Sequence, residues 1–272
     1  MKNKKNYHIY VFLFIGAFLI IVPFIWMVLS SMKTSQEIIE IPPKFFPKEF
    51  SLNNFLEVMT YGNLKQYFFN SVFTTLSITL GELITCILAA FAFAKLEFRG
   101  KSIIFSILIG TMMVPGEVLV IPNFVILSKL KWINTYKALI LPWCTSVFAI
   151  FFLRQYFLSI PKELYYSSKI DGCSDIRFLT KIVIPISKPA IVTIAIMKII
   201  NSWNSFMWPM IMTNSDEMRT LPTALSKFTT EVGADYHLLM ALSTMIILPM
   251  VIVFIILKKY IFAGVSGSGV KG

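Results

Sequence analysis

Residues that usually do chemistry are scarce in this chain. Its 272 residues include three cysteines and two histidines. Cys86, Cys144 and Cys173 lie far apart, which excludes a disulfide framework, and they match no metal-binding spacing. They read as packing residues. His8 and His237 have no Cys or carboxylate arrangement nearby, so neither a metal centre nor a triad is indicated. Acidic residues number 14 against 25 Lys and Arg, a net charge of +11. No repeat of solenoid length and no low-complexity tract is visible. The apolar runs also lack the alternation that a membrane barrel requires.

What the chain does have is apolar length. Hydrophobic residues make up 56% of it, gathered in runs rather than spread with a surface period. A helix needs about twenty such residues to cross the hydrocarbon layer. Candidate spans are Tyr10–Leu29, Tyr67–Ala94, Ser102–Leu127, Ala138–Phe157, Pro189–Met212 and Leu238–Leu257. A soluble protein of this length could bury a core, but not six stripes without polar faces. The fold class is therefore all-α, a polytopic helical membrane protein with six transmembrane helices. Pro23, Pro115, Pro122, Pro142, Pro209 and Pro249 lie in or near spans, where kinks are tolerated if neighbours satisfy the freed carbonyls.

The first run follows a basic start, as a signal peptide would. It is too long for an ordinary signal core, and Ser30-Ser31-Met32 is a poor cleavage site, so an uncleaved anchor is expected. With both termini inside, about fifteen basic residues fall on inner segments and about nine on outer ones, the usual bias. Lys129, Lys131 and Lys137 fall outside and count against it. Basic loops facing anionic lipid explain the net charge better than nucleic acid does.

One charged segment, Pro161–Pro189, interrupts the apolar pattern. Ser159 and Pro161 mark a helix start, and Asp171-Gly172 supplies the reversal at its end. Ser174 and Asp175 can cap a second short helix, which must stop before Pro185. Such a compact protrusion between two spans suits docking on another protein. Tyr166-Ser167-Ser168, Gly172, Ile182 and Ile184-Pro185 occupy the spacings of a known signature. That signature is Glu-Ala-Ala, three residues, Gly, nine residues, Ile-x-Leu-Pro, and the segment resembles the docking loop of ATP-binding-cassette importer membrane subunits.

The resemblance extends further. Met112-Met-Val-Pro-Gly-Glu-Val-Leu-Val-Ile-Pro122, Ser202-Trp-Asn-Ser-Phe-Met-Trp-Pro209 and Arg219-Thr-Leu-Pro222 are similar to the third span, fifth-span exit and last outer loop of maltose-type carbohydrate permeases. The ending Phe262–Gly272 resembles the tail of the MalG-type subunit. The resemblance implies a type I ABC importer permease fold. It divides into an anchor helix and outer segment (1–66), a core of five spans (67–262) with a coupling segment (158–189), and a cytoplasmic tail (263–272). It also implies a bacterial cytoplasmic membrane location, a second homologous permease, two ATPase subunits and an extracytoplasmic sugar-binding protein. No cofactor is expected on this chain; ATP and Mg belong to the partner ATPases.

By the same resemblance, Tyr166, Ser167, Ser168, Lys169, Asp171, Gly172, Ile182 and Pro185 form the joint with the ATPase. The signature's Glu is replaced here by Tyr166. Glu163, three residues earlier on the same helical face, can supply the missing anionic contact; alternatively it only favours the helix amino end. The outer loop Thr213–His237, with Asn214, Arg219, Leu221 and Pro222, is expected to meet the binding protein.

Glu82, Glu117 and Lys198 lie inside otherwise apolar runs. Each costs roughly 2.5–3.5 kcal/mol in the layer, so they should face the bundle interior, a partner or a wet cavity. Lys198 can pair with either Glu, and Glu117 sits beside Pro115-Gly116, where a helix break could open a substrate path. Asn201, Trp203, Asn204 and Trp208 offer amides and flat apolar faces to a sugar, although Trp near a membrane boundary also serves as an interfacial anchor. The Gly-rich tail is no phosphate loop, because Val270 stands where Lys is required. The rival readings are a secondary transporter using Glu82, Glu117 and Lys198 as a proton relay, and a membrane-embedded enzyme, disfavoured because no catalytic constellation converges.

Overall fold

The computed structural model describes residues 7–60, 62–230 and 233–266. The helices in order are α1 (Tyr7–Ser30), α2 (Ser35–Ile38), α3 (Asn53–Thr60), α4 (Leu64–Lys95), α5 (Lys101–Thr111), α6 (Val120–Lys129) and α7 (Tyr136–Ile140). They continue as α8 (Val147–Leu158), α9 (Lys162–Ile170), α10 (Asp175–Phe178), α11 (Ile184–Ile186), α12 (Lys188–Trp203), α13 (Met207–Met212) and α14 (Tyr236–Ser266). Two-residue strands, Thr229–Thr230 and Gly233–Ala234, pair antiparallel in an otherwise helical chain.

Four stretches are individually long and apolar enough to cross a membrane: Tyr7–Ser30, Leu64–Lys95, Tyr136–Leu158 and Tyr236–Lys258. The count reaches six if each of two bent pairs is one span. These are Lys101–Thr111 with Gly116–Lys129, bent by 91°, and Asp175–Ile186 with Lys188–Trp203, bent by 80°. The first bend breaks the continuous run expected over Ser102–Leu127, and the run expected over Pro189–Met212 is broken separately, between α12 and α13. The causes are local. Pro115 donates no N–H and disfavours helix at Val114, so the chain leaves α5 through tight turns at Met112, Met113 and Val114. Pro209 would have to bond the Ser205 carbonyl in a continuous helix and cannot, so α12 stops at Trp203.

The described chain forms two compact units, residues 1–65 with 221–251 and residues 66–220 with 252–272. In the first, α1 has no buried side chain before Ser30 and is apolar all round. Its exit is fixed by Asn54, whose amide donates to the Ser31 and Lys33 carbonyls at 2.8 and 2.7 Å. The Lys33 ammonium lies 4.3 Å above the Trp26 ring. The outer segment is part loop and part helix, as expected, with a capping box between Thr34 and Glu37 opening α2.

The second unit packs α8, α10 and α12 around α4. Cys86, Ala90 and Phe91 meet Ala149, Leu153, Phe157, Phe178, Val183 and Ile194 in one buried cluster. The stretch 141–146 between α7 and α8, a 3-10 turn at Leu141–Trp143 and the residues after it, lies against α4, and its polar backbone is answered from there. Thr85 Oγ1 donates to the Cys144 carbonyl at 2.5 Å, and the Ser146 N–H donates to Cys86 Sγ at 3.4 Å. Gly81 makes this approach possible, since a Cβ there would sit 2.5 Å from Cys144 Sγ.

Replacing Gly81 with Ala forces the two segments apart and should destabilise by about 1–3 kcal/mol. The melting temperature of the detergent-purified protein should fall, and adding Cys144→Ala should restore part of the loss. An unchanged melting temperature would show that the seam is looser than described.

Candidate functional site

The charged segment folds as an elbow. Pro161, with extended ψ, starts α9, and Gly172 ends it at φ +72°. The Cys173 N–H returns to the Ser168 carbonyl at 2.8 Å, the bond of a Schellman cap, which needs a residue tolerant of positive φ. Ser174 Oγ then accepts from the Arg177 N–H and caps α10. One expectation is overturned here: the second helix does not stop before Pro185. A π-helical stretch, Leu179–Val183, follows α10 and leads into α11, which contains Pro185. A widened turn changes which carbonyl faces the proline ring, so the chain continues where a regular helix would clash.

The elbow has an exposed face and a buried one. Glu163, Tyr166, Ser167, Lys169, Asp171, Gly172 and Pro185 are exposed. Ser168 is buried and donates to the Tyr165 carbonyl, and Ile182 packs against the core. Phe178, Leu179 and Val183 are buried, with Phe178 against Phe91 of α4. Between the two helices Asp175 forms a clasp. Its Oδ1 accepts from the Tyr165 hydroxyl and from Lys169 Nζ, both at 2.8 Å, while the Tyr165 ring meets Phe178 edge-on at 5.1 Å. Hydrogen bonds from Lys169 and then Tyr165 hold the Asp175 carboxyl below its ordinary range. Burial and that carboxylate push the Tyr165 hydroxyl up, so it remains a donor.

A second feature is a cavity of about 360 Å³ within the second unit. Its wall combines faces of α4 and α12 with residues at or beside helix breaks. Trp143 and Ser146 come from the stretch between α7 and α8, Ser205 from the break after α12, and Trp208 and Pro209 from the start of α13 beyond it. Backbone irregularity at membrane depth is tolerated where it lines a cavity or is buried in protein. Trp143 and Trp208 meet edge-on at 5.2 Å, and Trp208 Nε1 donates to the Ala138 carbonyl at 3.1 Å. Asn201 and Trp203 also line the cavity. Asn204, at the end of α12, and Glu117, on an exposed 3-10 turn, lie outside it. Lys198 pairs with Glu82 rather than Glu117, and its Nζ lies 5.7 Å from the Trp143 ring centroid.

The loop after α13 is held by two asparagines. Asn70 of α4 donates to the Glu217 and Arg219 carbonyls, both at 2.7 Å, and accepts from Tyr136 and Gln66. Asn134, at φ +61°, accepts from the Asn214 and Ser215 N–H groups at 3.1 Å. Arg219 pairs with Asp216 at 3.3 Å, whereas Leu221 and Pro222 are buried at the start of a 3-10 helix. Among the described residues no group of three or more His, Cys, Asp or Glu gathers into a metal-binding cluster.

Comparison with known proteins gives this geometry its context. A family model described as the binding-protein-dependent transport system inner membrane component matches residues 83–267. The chain belongs to this family. It is 37% identical over its full length and the relative's to the arabinooligosaccharides transport system permease protein AraQ of Halalkalibacterium halodurans. It is 29% identical to the sn-glycerol-3-phosphate transport system permease protein UgpE of Agrobacterium fabrum, over 93% of both chains. The fold matches a bacterial ABC transporter involved in import of the acidic polysaccharide alginate, with a TM-score of 0.84, 23% identity, and 96% and 99% of the two chains covered.

The protein is thus an inner-membrane permease component of a transport system that depends on a binding protein, and the secondary-transporter reading is not supported. The permease's loop-holding Asn70 and Asn134, and Thr85 in the seam, were not singled out in the sequence. A polar residue within an apolar run was the one signal for Asn70 and Thr85; Asn134 lies in a polar loop and had none.

The Asp175 clasp carries a pH sign. Its folded pKa is depressed, so its contribution is present above the ordinary carboxylate value and is lost as pH falls through the lower, folded one. Amide exchange at 162–178, corrected for intrinsic rate, should accelerate as pH drops below about 4, while Asp175→Asn should exchange fast at every pH. Equal protection in the variant at neutral pH would remove the clasp from the account.

Proposed function

We propose that this permease carries a carbohydrate, working with a second homologous permease, two ATPase subunits and an extracytoplasmic sugar-binding protein. The observation that carries the reading is the cavity wall. Trp143, Trp203 and Trp208 line the cavity together with the amide-bearing Asn201 and the hydroxyl-bearing Ser202 and Ser205. Sugar rings present apolar faces edged by hydroxyls, and such a wall offers a match for both. The full-length similarity to a permease named for arabinooligosaccharides points the same way.

In this reading ATP and Mg are bound and turned over on the partner ATPases, and this chain contributes motion. The exposed face of α9, with Glu163, Tyr166, Ser167, Lys169 and Asp171, is the docking surface. Phe178, Leu179 and Val183 root the elbow in the core around α4, so displacement of α9 is passed to the helices that bound the cavity. Elbow and both termini lie on the cytoplasmic side, which puts the basic inner segments where anionic lipid favours them. Part of the tail, residues 267–272, lies outside the described residues. The exposed turn at Asn214–Glu217 faces the binding protein.

Copurification with a second permease and an ATPase tests the assembly; recovery of a lone polypeptide that moves solute would refute it. Within the complex, Glu163→Gln should reduce ATPase retention and sugar-stimulated ATP turnover by about fivefold or more, as loss of one member of an interfacial charge pair does. Unchanged coupling would return Glu163 to a helix-end role.

A further inference from the structure

Of the described residues lining the cavity, Glu82 and Lys198 alone are charged. Their side chains, 5% and 13% exposed, form an ion pair across the wall between α4 and α12. Every other lining group is neutral: three tryptophans, hydroxyls of Ser71, Thr74 and their neighbours, the amide of Asn201, and aliphatic side chains. The Lys198 ammonium also lies near the Trp143 ring, so its remaining field falls on an aromatic face.

We infer that the Glu82–Lys198 pair is a charge filter, and that the cavity takes an uncharged polyhydroxylated ligand. The inference rests on the carbohydrate reading above and narrows it to neutral saccharides. Two opposite charges in contact cancel at the distance of a bound ligand. A uronate or phosphate entering the cavity must then shed its water without gaining a counter-ion, or must pull Lys198 from Glu82 and leave a buried carboxylate unpaired. Either step is strongly unfavourable in a poorly hydrated site. A neutral sugar meets no such barrier, because hydroxyl groups exchange hydrogen bonds with water for hydrogen bonds with the wall. The mutual masking of the two charges therefore sets which ligands are rejected, and the dipole they leave is available to the hydroxyls of the accepted one. Removing one partner should turn the filter into a site for the opposite charge: without Glu82 the free ammonium attracts anions, and without Lys198 the free carboxylate attracts cations.

The test uses the intact transport complex in nanodiscs without its binding protein, so that the cavity and not the delivery protein is read. Equilibrium binding is measured for three probes of equal length: arabinotriose, a hexuronate trisaccharide and a glucosamine trisaccharide. Wild type should bind arabinotriose and reject the charged probes. Glu82→Gln should raise the uronate-to-arabinotriose affinity ratio at least about tenfold, the scale of a charge-assisted contact. Lys198→Met should raise the glucosamine ratio similarly, and Glu82→Met/Lys198→Met should keep the wild-type preference. Either single variant that assembles is sufficient. The inference is overturned if wild type binds a charged probe as tightly as arabinotriose or binds none of the three. It is overturned equally if the assembled single variants keep the wild-type ratios. ATP-driven sugar uptake by the wild-type complex with its binding protein is followed separately. Uptake with unchanged ratios sinks the filter alone, and absence of any sugar uptake sinks the carbohydrate reading with it.

Discussion

A helix that breaks inside an apolar layer exposes N–H and C=O groups where no water can reach them, at several kcal/mol for each group left unsatisfied. The second unit of this permease contains several such breaks, and much of its architecture follows from how they are answered. Helix α4 answers them along nearly its whole length. Asn70 holds the backbone of the loop after α13, Thr85 and Cys86 hold the stretch between α7 and α8, and Lys95 Nζ donates to the Ile160 carbonyl at 2.8 Å where α8 ends. The traffic also runs the other way, since Arg154 Nε of α8 donates to the Phe93 carbonyl at 3.1 Å while its guanidinium covers the Phe105 ring. The helix is thus a spine of donors and acceptors as well as an apolar surface.

This arrangement links the elbow to the cavity mechanically. Phe178 at the root of the elbow packs on Phe91 of α4, and Glu82 of the same helix, more than two turns away, forms part of the cavity wall. A close-packed core transmits displacement because it compresses little. The clasp at Asp175 matters in this light: a lever whose two arms flexed independently would dissipate motion at Gly172, the residue with the greatest conformational freedom in the elbow. Tyr165 and Lys169 from α9 both hold Asp175 at the start of α10, so the two arms move together.

How much of this was legible in the sequence depended on range. The elbow's turn was readable because Gly172 and Ser174 act on their own backbone within a few residues. Pro115-Gly116 was readable as a possible break for the same reason. The π-helical stretch before Pro185 was not, since a proline in a charged segment reads as a stop unless the geometry of the preceding turn is known. Partners separated by many tens of residues were illegible too. Glu82 and Glu117 were equivalent candidates for Lys198 until the fold placed one in the core and the other on an exposed turn. Asn70 resembled any polar residue at a helix start, although it satisfies two carbonyls in a loop far along the chain.

The Glu82–Lys198 pair is difficult to account for by stability alone. Buried ion pairs lose about as much in desolvation as they gain in attraction, and apolar replacements of equal volume are often neutral or stabilising. A bundle whose walls are otherwise neutral had no packing need for two charges. The same pair does have a consequence at the cavity that Leu or Met at these positions would lack. It supplies strong, fixed dipoles on a surface that must bind hydroxyl groups reversibly, and it does so without presenting net charge. Position supports this view over a generic interhelical tie: Glu82 follows Gly81, where α4 closely approaches Cys144, and Lys198 lies one turn before Asn201. The pair therefore stands beside a close backbone approach of α4, where a fixed dipole can meet a ligand's hydroxyls without rearranging.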